Sequence, residues 1–193
     1  MNSARAAELE RLRPYLLDKF QEWICQQRKI HLANARPLSS QEKSRLDGYF
    51  QKRILDKARL ASVKRISNPE FYHDFAKSGI PIPLDFSTAV GLTLVDCIII
   101  RQELWANPAS LISVIFHELV HVVQIDILGL RKHIELYSDS LRQSGYRYHG
   151  VILERQAYDF SDRFDAGKPS FSVSHAIRKD LKSAGYLTSD FDI

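Results

Sequence analysis

The most continuously apolar stretch of the chain is residues 111–128, LISVIFHELVHVVQIDIL. Leu111, Ile112, Ile115, Phe116, Leu119, Val122, Val123 and Ile125 fall on all sides of a helix, and a helix apolar all round belongs in a core. Asn107-Pro108 supplies a cap and a first-turn proline ahead of it, and Gly129 closes it.

Elsewhere apolar residues recur at three-to-four spacing. Leu9, Leu12, Leu16, Phe20, Trp23 and Ile30 predict an amphipathic helix over 4–31, with Pro14 marking a break or a fresh start. Asn34 to Pro37 ends it. Ser39-Ser40-Gln41-Glu42 fits a capping box, opening a second helix whose stripe is Leu46, Phe50, Ile54 and Leu55. Val63-Lys64-Arg65-Ile66 reads as a short strand. Asn68-Pro69-Glu70 reads as the start of a helix ending near Gly79, and Ile80 to Phe86, with two prolines, as extended or turned.

Gly91 to Ile100, GLTLVDCIII, is the best strand of the chain, or two short strands joined near Asp96. Further helices are predicted over 131–144, ending at Gly145, and from Gly150 through VILERQAYDFSDRFDAG to Gly167. A last one runs from a Ser174 cap to Ala184, and the final residues read as frayed. The sum is an α+β chain, mostly α, with one small sheet. Residues 1–66 form a helical part packed on a core made by 67–193.

Composition is that of an ordinary globular protein: 193 residues, 45% hydrophobic and 26% charged. No run of about 18 apolar residues lacks a charged or strongly polar group, so neither a transmembrane helix nor a membrane partner is expected. The N-terminus has charges of both signs and no apolar run, unlike a secretory signal. Two cysteines, Cys25 and Cys97, are too few for a disulfide framework. The expected compartment is the cytoplasm, with export lacking a signal peptide left open. The net charge of +4 is uneven: residues 1–66 hold 15 Lys/Arg against 7 Asp/Glu, and residues 67–193 hold 12 against 16. The basic part reads as solvated helix faces; an acidic partner, a nucleic acid or the rest of its own chain are what it could meet.

The apolar stretch contains His117-Glu118-Leu119-Val120-His121, an HExxH pattern. Positions i and i+4 lie on one helix face a turn apart, so both imidazoles can point at a single metal ion. Glu118 projects beside that face and could polarise a metal-bound water. Burying two histidines and a glutamate is costly unless something satisfies them, and a divalent cation with a water does so for all three. Catalytic zinc takes three protein ligands and keeps one position open. Glu154, 33 residues after His121, is the leading third ligand, on a helix where Ala157 shares its face and permits close approach. Glu135 and His133, 14 and 12 residues after His121, are the alternatives.

HELVH with a distant Glu154-x-x-Ala157 resembles the gluzincins, zinc metallopeptidases whose third ligand is a glutamate. The fuller series, GLTLVDCIII, PASLISVIFHELVHVVQ and ERQAYDF, is similar to small, mostly uncharacterised bacterial metallopeptidases carrying HELxHVVQ and a later ExxAYDF-like segment. The resemblance covers residues 90–165, and the HVVQ and AYDF extensions are its more specific part. The metzincin pattern is excluded: it needs glycine at position 124 and histidine at 127, and the chain has Gln124 and Ile127.

The resemblance implies a zincin-like core with Zn2+ on His117, His121 and Glu154, and Glu118 as general base in peptide-bond hydrolysis. Asp159 is one candidate to take an imidazole N–H, although thermolysin-like relatives place that acid four positions after the ligand glutamate and here it falls five after. Gln124 either touches the site or bonds to helix backbone. Tyr146, Tyr148 and His149 lie where several relatives place a tyrosine, and Tyr148 or His149 is expected at the developing oxyanion. A peptide substrate would extend along the edge of the 91–100 sheet. The expected function is therefore a zinc-dependent metallopeptidase acting on a protein or peptide. The alternative is a metal-containing binding or effector module whose basic N-terminal part engages nucleic acid or a protein.

Overall fold

In the computed structural model, which describes residues 3–77 and 84–187, the chain opens with helix α1, Ser3–Leu32. It runs through Pro14 without the expected break. Proline removes one i→i−4 hydrogen bond, and a 30-residue helix keeps the others and its packing. The two-residue strand β1, Arg36–Pro37, follows at the edge of a sheet, where a missing N–H is tolerated.

The expected second helix is two. Helix α2, Ser40–Leu46, begins with the predicted capping box, Ser39 and Glu42 bonding each other's backbone. Helix α3 is Lys52–Lys57. Between them Gly48 takes φ +78, a left-handed turn that no continuous helix contains. The stripe Leu46, Phe50, Ile54 and Leu55 is nonetheless buried.

Strand β2 is Arg59–Val63, so the expected strand at 63–66 is displaced toward the N-terminus. Leu60 and Ala61 bury opposite faces there, which a central strand requires and Lys64-Arg65 could not supply. Helix α4 is Tyr72–Lys77. Asn68 does not open it: its amide donates to Asp85 and its carbonyl accepts from Phe86 N, clamping two distant turns. Gly79 and residues 80–83, read as a helix end and an extended stretch, lie outside the described residues.

The 91–101 segment is a hairpin, β3 Gly91–Leu94 and β4 Cys97–Arg101, turning at Val95 with φ 68 and at Asp96. Arg28 of α1 grips the Asp96 carboxylate through two bonds of 2.6 and 2.9 Å. The sheet order is β1-β2-β4-β3, with β2 parallel to β4 and the outer pairs antiparallel.

Helix α5, Pro108–Leu128, starts at the Asn107 cap, whose side chain accepts from Ala109 N and Ser110 N, and stops at Gly129 with φ +77. Then come α6, Leu130–Gln143, and α7, Ile152–Asp165. Helix α8, Val173–Ser183, is capped by Ser172 and not by Ser174, which lies inside its first turn. The frayed end expected after it falls at 188–193, outside the described residues.

The described chain is thus α+β and mostly helical, around one small mixed sheet. Leu60, Ile98 and Ile100 face α5, while Ala61, Leu94, Cys97 and Ile99 face Ile24 and Leu32 of α1. Residues 1–66 supply β1 and β2 and bury Leu46, Phe50 and Ile54 in the core that holds α5. Several of their cations meet acids from beyond residue 66: Arg13 with Asp139, Arg28 with Asp96, and Arg53 and Lys57 with Asp126. Helix α5 is long and apolar enough to cross a membrane, yet 67% of its most apolar window is buried inside the protein.

Candidate metal centre

Helix α5 carries His117 and His121 one turn apart, and α7 brings Glu154 against them. The two Nε2 atoms stand 3.3 Å apart, and Glu154 Oε2 lies 3.5 Å from each. Ligands of a tetrahedral ion bonded at about 2.0–2.1 Å stand about 3.3–3.4 Å apart, so this triangle fits one such ion. Glu154 Oε2 is also buried without a hydrogen-bond partner, a costly state for a carboxylate oxygen unless a cation faces it. Ala157, fully buried, lets α5 and α7 approach this closely.

Both rings are oriented from behind. Gln124 Nε2 donates to Leu153 O at 2.9 Å and to Gln156 Oε1 at 3.1 Å, so its Oε1 is the acceptor facing His121 Nδ1 at 2.8 Å. His121 therefore carries its proton on Nδ1 and turns the Nε2 lone pair toward the triangle. Ser161 does the same for His117. Its hydroxyl donates to Ala157 O and accepts from His117 Nδ1 at 3.3 Å. Asp159, one candidate for that role, is exposed instead. Five residues after Glu154 carries a side chain well round the helix, whereas Ser161, seven after, returns to nearly the same face.

The second oxygen of Glu154 accepts from the Tyr137 hydroxyl at 2.9 Å. Sequence reasoning missed Tyr137. The signal was its position four after His133 on α6, one face turned toward the site. His133 lies beside the cluster but outside the triangle, its ring 6.2 Å from that of His121. Burial, with His121 alongside, pushes its pKa down to about 3. Glu135, the other alternative ligand, is engaged by Arg131 at 2.7 Å.

Tyr148 stands at the rim, 38% exposed, and burial of its hydroxyl together with the Glu154 charge raises its pKa. His149 is set further out, its ring against Tyr148 and Tyr158, and Tyr158 packs edge-on against the His117 ring at 4.7 Å.

Electrostatics within the triangle favour a cation. Burial alone pulls the His121 pKa down, but the Glu154 carboxylate, Glu118 and Gln124 outweigh it and lift the value to about 9. Burial likewise opposes ionisation of Glu154, and the two imidazoles and Tyr148 overcome it, holding its carboxyl well below the usual range. A proton or a metal ion can meet that demand for positive charge, and the two compete for the same lone pairs.

Glu118 is buried on the sheet side of α5. Thr93 Oγ1 lies 2.7 Å from its Oε2 and 2.9 Å from its backbone carbonyl.

No protein-family model, curated protein or solved structure matches the chain.

Proposed function

We propose that this protein is a zinc-dependent metallopeptidase of the gluzincin kind, with His117, His121 and Glu154 holding the ion and Glu118 as general base. The observation that carries this reading is the triangle of ligand atoms at 3.3–3.5 Å, closed by a buried carboxylate oxygen that has no other partner. An intact Glu118 beside it favours catalysis, since a purely structural site has no use for a base.

His117, His121 and Glu154 would hold zinc, which would supply Lewis acidity to polarise a carbonyl and to acidify a water toward a pKa of about 7. Glu118 takes the proton from the attacking water and returns it to the leaving amine. Tyr148, whose hydroxyl lies near Glu154, would donate to the developing oxyanion, with His149, packed against the Tyr148 ring, the alternative donor. Strand β3 is the last in the sheet, so its outer edge is where an extended peptide would add a strand.

The test combines metal analysis with peptide cleavage. Wild-type protein carries about one zinc per chain and cleaves a mixed peptide library. Glu118→Gln keeps the zinc and loses cleavage, and Glu154→Ala loses the zinc. Unchanged cleavage by Glu118→Gln removes the mechanism. A full complement of zinc in Glu154→Ala returns Glu135 and His133 to consideration.

A further inference from the structure

The face that the sheet turns toward α5 changes character at its edge. In β4 that face is Ile98 and Ile100, with Leu60 beside them in β2, all fully buried and apolar, while Ser62, further along β2, is exposed. Along β3 the residues facing the same way are Gly91 and Thr93, paired across the hairpin with Ile100 and Ile98. Apolar side chains at these positions would simply extend the core. Glycine and threonine instead leave room and supply a hydroxyl, and both are set against Glu118.

The fit is close. A Cβ at Gly91 would stand 2.7 Å from Glu118 Oε1 and 2.9 Å from Val114 Cγ1, so any side chain there displaces the carboxylate or its neighbour one turn away. Two residues along, Thr93 is 8% exposed, and its hydroxyl reaches Glu118 Oε2 at 2.7 Å and Glu118 O at 2.9 Å. That hydroxyl has one proton and two acceptors within reach. It can donate to the carboxylate. Once Glu118 has taken a proton, it can accept from the acid and donate to the carbonyl.

We propose that Thr93 is the positioning residue for Glu118: from the edge strand it fixes one carboxylate oxygen, while the absent side chain at Gly91 leaves room for the other. This rests on the peptidase reading for its kinetic consequence, though not for the placement of Glu118 itself. Because the same strand is where a substrate would pair, the base and the substrate are referenced to one piece of backbone.

The experiment uses full-length, zinc-loaded protein with zinc content measured for every variant. Thr93→Val, nearly isosteric without the hydroxyl, is expected to lower kcat about 10- to 100-fold with KM and zinc content unchanged. Thr93→Ser restores most of the loss. Gly91→Ala lowers kcat in the same way. Wild-type kcat in Thr93→Val, or a Thr93→Ser variant no better than Thr93→Val, overturns the proposal. Crystal structures of the two Thr93 variants decide it independently of turnover. A Glu118 carboxylate displaced in Thr93→Val and returned in Thr93→Ser supports it, and an unmoved carboxylate overturns it. If Glu118→Gln is as active as wild type, the peptidase reading fails, and the crystallographic comparison still settles what Thr93 does.

Discussion

Tyr137 donates its hydroxyl to Glu154 Oε1 at 2.9 Å, so only Oε2 faces His117 and His121. With one oxygen turned to the two imidazoles and the other tied to a buried tyrosine, the carboxylate is held against rotation away from the triangle. Removing such an outer hydrogen bond costs metal affinity on the order of 10- to 100-fold. Tyr137→Phe is therefore expected to fold normally and bind zinc about that much more weakly, as measured by competition against a chelator of known affinity. Wild-type affinity would show that packing alone holds Glu154.

Gln124 is fully buried and joins α5 to α7 through Leu153 O and Gln156. Gln124→Leu keeps the volume and strands Gln156 Oε1 and the Nδ1–H of His121. The expected loss is about 1–3 kcal/mol of unfolding free energy for the unsatisfied groups. Urea denaturation of the metal-free protein measures it without interference from ion binding. Gln124→Glu, which keeps an acceptor for His121, is expected to retain more zinc than Gln124→Leu.

Asp126 ties α5 to α3. Its carboxylate takes a two-pronged grip from Arg53, at 2.6 and 2.9 Å, and a further bond from Lys57. Arg53 lowers its pKa below the usual value of 3.8, against a smaller opposing effect of burial, with Lys57 adding to the lowering. A depressed folded pKa means that this stabilisation is complete above the unfolded value and is lost as pH falls through the folded one. With both cations partly in solvent, the contribution is about 0.5–1 kcal/mol. Asp126→Asn is expected to lower the urea midpoint at pH 7, with the gap from wild type closing as pH falls below the usual 3.8 and through the lowered folded value.

Cys25 is exposed and Cys97 is buried. Burial, with Asp96 next to it, pushes the Cys97 thiol up to about 11, so little thiolate forms near neutrality and reagents cannot reach it. Native protein at pH 8 is expected to take one iodoacetamide label, at Cys25, and denatured protein two. Rapid double labelling of the native protein would mean that the β3–β4 hairpin opens readily.

The parts of this molecule legible in its sequence are those governed by neighbours along the chain. His117 and His121 share a face because helices repeat every 3.6 residues. Asn107, Gly129 and the Ser39–Glu42 box mark helix ends because capping is a matter of a few adjacent backbone groups. Even the local rules misled where a left-handed turn at Gly48 cut one apolar stripe into two helices, and where Pro14 was absorbed by a long one.

What only the tertiary structure decided is which distant residues meet. Spacing along the chain leaves Glu135 and His133 open as alternatives to Glu154; in three dimensions Glu154 faces the imidazoles and Glu135 pairs with Arg131. Ser161 displaces Asp159, and Tyr137 and Thr93 join the site from α6 and from the edge strand. Periodicity tells which way a side chain points from its own element. It carries no information on what another element, folded back from far along the chain, places opposite it.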